Sequence, residues 1–99
     1  MAARITVDRA RLTEFCRRHR IRRLSLFGSV VRDDFGPDSD VDVLVEFEAG
    51  HVPGLTFFSI QDELAVELGR TVDLNTPGFL GRRLHDRVRR EAEVVVDRA

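Results

Sequence analysis

From Asp40 to Phe47 the chain reads Asp-Val-Asp-Val-Leu-Val-Glu-Phe, an alternation with a period of two. On a pleated strand this period sends Val41, Val43, Val45 and Phe47 to one face and Asp40, Asp42, Leu44 and Glu46 to the other. A slip of one residue would bury the acids and expose the valines, so the register is strongly specified. The fold must supply a sheet with an apolar buried face. Its opposite face then carries two carboxylates about 6.5 Å apart along one strand. Acids on an isolated strand are usually its solvated side, and the flanking segments decide whether these are more than that.

Upstream, Leu24-Ser25-Leu26-Phe27 has the character of a short buried strand, ended by Gly28. Gly28-Ser29 is a small turn whose backbone N–H groups suit phosphate oxygens, and a short helix is expected from Ser29 to about Asp34, its N-terminus facing a nucleotide. Gly36-Pro37-Asp38-Ser39 then breaks the chain into a turn. Downstream, Glu48 to Gly54 is a loop containing His51. Leu55 to Leu68 is a helix with Phe57, Ile60, Leu64, Ala65 and Leu68 at helical spacing, stopped by Gly69. A third strand from Arg70 to Asn75 places Val72 and Leu74 on one face and Thr71, Asp73 and Asn75 on the other. If the strands are neighbours, Asp73 joins Asp40 and Asp42. A phosphate-binding turn and three hard oxygen ligands then describe a site for a nucleoside triphosphate and its magnesium.

The rest of the chain fits around this centre. Asp8 can cap a helix running to about Arg20, with Leu12, Phe15, Cys16 and His19 on one face. That spacing makes Cys16 a core residue and His19 a boundary residue beside the core. A last helix from about Leu80 to Glu93 carries Leu80, Leu84, Val88 and Ala92 every fourth residue. Arg82, Asp86 and Arg90 form i,i+4 pairs on its exposed side, where His85 also belongs. Val94-Val95-Val96 could extend the helix, add an edge strand or meet a partner. The alternation of elements predicts an α/β (α+β) fold, a small mixed sheet flanked by helices, as one domain over residues 1–99.

Several classes are disfavoured. The formal net charge is −1, without the basic excess of a non-specific nucleic-acid binder, so no direct nucleic-acid binding is expected. All 16 basic residues are arginine, a bias of composition first and a supply of rigid phosphate- or carboxylate-binding forks second. The single cysteine excludes an intrachain disulfide and a cysteine-based zinc site. There is neither a Walker A motif nor a Gly-x-Gly-x-x-Gly after any strand. No apolar run approaches the ~20 residues of a membrane span, and a cytoplasmic protein is expected.

Three blocks in order, Leu24-Ser25-Leu26-Phe27-Gly28-Ser29-Val30-Val31-Arg32, Ser39-Asp40-Val41-Asp42-Val43-Leu44-Val45 and Gly69-Arg70-Thr71-Val72-Asp73-Leu74, resemble the signature of the DNA polymerase β-like nucleotidyltransferase superfamily. The nearest likeness is to its smallest branch, the minimal nucleotidyltransferase (MNT) antitoxins of prokaryotic toxin–antitoxin pairs. The resemblance implies a polymerase β-like fold in which Asp40 and Asp42 hold two Mg2+ ions. Asp73 would ligate the metal on the attacking oxygen and help to deprotonate it. Gly28 and Ser29 would bind the β- and γ-phosphates of ATP, with Arg32 supporting the triphosphate or the carboxylates. A salt bridge from Arg32 to Asp33, Asp34 or another acid is an equal alternative, since family members often carry glycine where this chain has Asp33.

The resemblance also implies a partner, a HEPN-domain ribonuclease toxin, neutralised by transfer of AMP from ATP to one of its tyrosines, by binding, or both. Larger relatives add a helical region or domain for the base or acceptor. None is evident in this sequence, so the acceptor surface must come largely from elsewhere. The chain has no tyrosine of its own. A binding-only antitoxin acting by occlusion, and a nucleotidyltransferase for a small molecule or an RNA end, are the alternatives.

Overall fold

A computed structural model describes residues 5, 7–31, 36, 38–79 and 82–98. Its elements follow in the order α1 (Arg9–Arg18), β1 (Ile21–Phe27), a 3-10 turn (Gly28–Val31), β2 (Val41–Phe47), α2 (Thr56–Leu68), β3 (Val72–Asn75), a second 3-10 turn (Pro77–Phe79), α3 (Arg82–Glu91) and β4 (Glu93–Asp97). The four strands form one mixed sheet in the order β3-β2-β1-β4. β1 runs antiparallel to β2 and to β4, and β2 runs parallel to β3. The parallel pair is possible because α2 intervenes, carrying the chain back to the same end of the sheet.

The predicted alternation of β2 is realised. Val41, Val43 and Val45 are fully buried, as are Leu24 and Leu26 of β1 beside them. Onto this face α1 contributes Leu12, Phe15 and Cys16, and α2 contributes Phe57, Ile60 and Leu64, closing one core with Val72 and Leu74. Burial pushes the Cys16 thiol up to about 12, against an opposing pull from the Arg98 charge, so the thiol stays protonated and inert. Asp8 caps α1 as expected, its carboxylate accepting from Arg11 N at 3.1 Å. Gly69 ends α2 in the left-handed conformation, φ +67. Among the described residues no helix is long and apolar enough to cross a membrane.

Three expectations change, and one left open is decided. β1 begins at Ile21, three residues before the predicted strand. Arg22 and Arg23 masked it, since two adjacent arginines do not read as strand, yet both lie against Glu46 of β2. The expected helix after Gly28 is a 3-10 turn ending at Val31, and residues 32–35, which include Arg32, lie outside the described residues. The last helix starts at Arg82 and ends at Glu91, with a 3-10 turn at Pro77–Phe79 before it. Pro77 and Gly78 are poor helix interiors. Val88 of α3 is buried, while Leu80 and the side chains of Leu84 and His85 lie outside what the structure describes. Val94-Val95-Val96 resolves as a strand, part of β4, antiparallel to β1.

β4 is an edge strand, and α1 covers part of its exposed backbone: Arg9 Nη1 donates to Val95 O at 2.8 Å. α1 and α2 are also joined at the surface. His19 Nε2 and Arg18 Nη1 each lie 2.8 Å from Glu63, which places His19 at the core boundary as expected. Partial burial pushes the Glu63 carboxyl up, but the hydrogen bond from Arg18 and the charge and hydrogen bond of His19 outweigh it, and the net shift is downward from 4.5. A carboxyl depressed in the folded state contributes stability above its unfolded pKa and loses it as pH falls through the folded value. The urea midpoint should therefore decline as pH falls below about 4.5, and Glu63→Gln should make that decline shallower. An identical decline in the variant would show that Glu63 is not a source of it.

Candidate functional site

The sheet has a second face, and the pairings show what lies on it. Phe27 pairs with Asp42, and Asp42 pairs with Asp73, so these three residues form one row across β1, β2 and β3. Paired residues share a face. The two carboxylates therefore stand on neighbouring strands at the same level, on the side away from the core. The next row is Ser25, Leu44 and Asn75.

Gly28 follows Phe27 immediately and has φ +73. A side chain there would meet two obstacles. The left-handed backbone disfavours any Cβ, and a Cβ on Gly28 would collide with Oδ2 of Asp42. The Asp42 carboxylate thus occupies the space that the missing side chain leaves. The 3-10 turn begins here, with Ser29 half-buried beside buried Val30 and Val31. Turns of this kind expose successive N–H groups from which anion cradles are built.

Asp40 lies just outside β2 and is exposed, as is Asp73, whereas Asp42 is half-buried. Pairing thus brings Asp42 and Asp73 together beside Gly28, with Asp40 two residues before Asp42. Among the described residues no three His, Cys, Asp or Glu side chains are gathered tightly enough to hold an ion by themselves. These three side chains offer only carboxylate oxygens, the kind of oxygen that suits Mg2+.

Two supporting side chains escaped the sequence reading. Arg70 Nη2 donates to Gly36 O at 2.8 Å and to Ser39 O at 3.1 Å, tying down the turn that leads into Asp40. Gln61 of α2 accepts from Leu74 N at 2.9 Å and fixes β3 next to Asp73. Neither has a periodic signal. Arg70 follows a helix-stop glycine and Gln61 sits on a polar helix face, and only the tertiary fold gives each its target. The start of β2 is secured as well by Val41 N donating to Thr71 O at 2.9 Å.

The family model described as nucleotidyltransferase domain matches residues 9–96. A Methanocaldococcus jannaschii protein provisionally named a protein adenylyltransferase is 37% identical over 75 residues, covering 76% of this chain and 80% of the relative. The protein adenylyltransferase MntA of Thermococcus cleftensis is 42% identical over 62 residues, covering 62% of this chain and 61% of that relative. A solved structure provisionally described as a minimal nucleotidyltransferase is 38% identical with a TM-score of 0.72, each chain covered to 86%. A chain in the complex of tri-AMPylated Shewanella oneidensis HEPN toxin with MNT antitoxin shares the fold, with a TM-score of 0.66 at 19% identity over 90% of this chain and 69% of that one. The matched span runs from the first residue of α1 into β4 and takes in the whole Phe27-Asp42-Asp73 row, and the chain belongs to the nucleotidyltransferase domain family.

Proposed function

We propose that this nucleotidyltransferase moves the AMP group of ATP onto a hydroxyl of a HEPN-domain toxin, a tyrosine, and acts as that toxin's antitoxin. The observation that carries the reading is the Asp42–Asp73 pair, set directly across two strands and pressed against Gly28. The names of the relatives support adenylyl transfer to protein. The AMPylated HEPN toxin in the structural neighbour supports the choice of partner.

Asp40, Asp42 and Asp73 would hold two Mg2+ ions, which supply charge neutralisation at the reacting phosphate. Gly28 and Ser29 bind the β- and γ-phosphates through the turn. Arg32, outside the described residues, keeps the supporting role that the sequence resemblance gives it. In the reaction the acceptor oxygen forms a bond to the α-phosphorus, and the bond from that phosphorus to the bridging oxygen breaks. Pyrophosphate leaves, and the hydroxyl proton passes to the Asp73 carboxylate. The buried valines behind Asp42 give that carboxylate a rigid support, which in-line attack requires.

Intact-mass spectrometry of a candidate HEPN-domain toxin tests the reading directly, after incubation with this protein, ATP and Mg2+. AMP adducts are expected with the native chain. Asp42→Asn should reduce them by on the order of 10²–10³-fold while leaving the thermal midpoint within a few degrees. Full adduction by a folded Asp42→Asn protein would refute the assignment, and a stable complex without adducts would point to occlusion. Gly28→Ala should lower unfolding free energy by roughly 1–2 kcal/mol and also weaken binding of a fluorescent ATP analogue, read by denaturant titration and polarisation. Unchanged nucleotide affinity in that variant would remove Gly28 from the site.

A further inference from the structure

The three carboxylates of the site are not held alike. Asp42 and Asp73 lie within the sheet and pair across β2 and β3. Asp40 precedes the first residue of β2 and is exposed, so the turn before it must set its position. That turn is closed by Ser39 N donating to Gly36 O at 3.1 Å and by Gly36 N donating to Ser39 Oγ at 3.0 Å. Bonds within the turn give it a shape but do not orient it on the sheet.

The orientation comes from Arg70. α2 ends in a Schellman pattern, in which Gly69, at φ +67, donates to Val66 O at 3.3 Å and Arg70 N donates to Ala65 O at 3.2 Å. The backbone of Arg70 is thereby fixed to the end of a helix. From there its half-buried side chain reaches the turn, where one nitrogen, Nη2, donates to Gly36 O at 2.8 Å and to Ser39 O at 3.1 Å. Hydrogen bonds from a charged donor are stronger than those between neutral groups. One residue further on, Thr71 O accepts from Val41 N at 2.9 Å. Asp40 is thus anchored on both sides, through Ser39 O before it and Val41 N after it, by consecutive residues of one segment. The same segment supplies Asp73 two residues later.

We propose that Arg70 is a positioning residue for the reaction, holding the Asp40 carboxylate in reach of the metal that Asp42 and Asp73 take. The inference rests on the reading of these aspartates as metal ligands. Arg70 acts through the backbone of Ser39, and its geometry and its charge pull in opposite directions. A cation this near the carboxylates repels a divalent metal, so an Arg70 that mattered only as a charge would, when removed, tighten metal binding. An Arg70 that mattered only to folding would lower the thermal midpoint and leave the affinity of the folded protein alone. Positioning predicts weaker binding by a protein that is still folded, since the groups that orient ligating side chains are typically worth about 10–100-fold in metal affinity.

The test is a titration of the ¹⁵N-labelled chain with Mn2+ alone, read by paramagnetic broadening of the amides around Asp42 and Asp73. It compares the native chain with Arg70→Met, Asp40→Asn and the double variant. Arg70→Met is expected to stay folded and to bind Mn2+ about ten-fold more weakly. In the Asp40→Asn background the same substitution should change affinity by less than about two-fold, because the group it positions is gone. Arg70→Lys keeps the charge but ends one atom short of Nη2, so it should fall between the native chain and Arg70→Met, and it carries the test should the methionine variant fail to fold. Unchanged or tighter binding by the folded Arg70 variants, or an equal loss with and without the Asp40 carboxylate, would overturn the proposal. Broadening that Asp42→Asn leaves undiminished would refute the metal reading itself and the proposal with it, so the two failures are distinguishable.

Discussion

The contact on which the site depends is the packing of the Asp42 carboxylate into the space left by the missing side chain of Gly28. It joins the end of β1 to the start of β2 at the level where Asp42 also pairs with Asp73 of β3. The Gly28 turn and the Asp42–Asp73 pair, the groups proposed to take phosphate and metal, are held next to each other by this one close approach. Any residue with a Cβ at position 28 would push the aspartate away and force a left-handed backbone on itself. The buried valines of β2 stand behind the arrangement, since they lock the register that keeps Asp42 on the open face.

The two faces of the sheet divide the work. The inner face carries the aliphatic core under α1 and α2, and it needs nothing more than packing. The outer face carries the carboxylate row, and beyond it an arginine-rimmed cavity. Arg70 and Gln61 belong to neither set, yet they hold the entry to β2 and the edge of β3 in place. A small domain can thus fix the backbone that bears Asp40 and Asp73 while leaving both side chains exposed.

Much of this was legible in the chain because it depends on short-range periodicity. The alternation from Asp40 to Phe47, the Gly28-Ser29 turn, the helix stop at Gly69 and the Asp73 strand all announce themselves within a few residues. What was hidden depends on partners distant in sequence. Arg22 and Arg23 read as anything but strand until Glu46 is placed across from them. Val94-Val95-Val96 had three possible fates, and the free edge of β1 chose among them. Leu44 shares a face with the acids, yet it is 4% exposed, at the wall of a cavity bordered by α3 and the Pro77 turn. Arg70 and Gln61 act on backbone groups, which leave no trace in a hydropathy pattern.

The account stands or falls on whether the Asp42–Asp73 row beside Gly28 is where nucleotide and metal meet. The most direct measurement is a crystal structure with a non-hydrolysable ATP analogue and Mn2+, the latter located by its anomalous signal. The account predicts anomalous density within about 2.1 Å of carboxylate oxygens of Asp42 and Asp73, and triphosphate oxygens on the Gly28-Ser29 turn. Ordered nucleotide and metal bound elsewhere, with the row untouched, would contradict it.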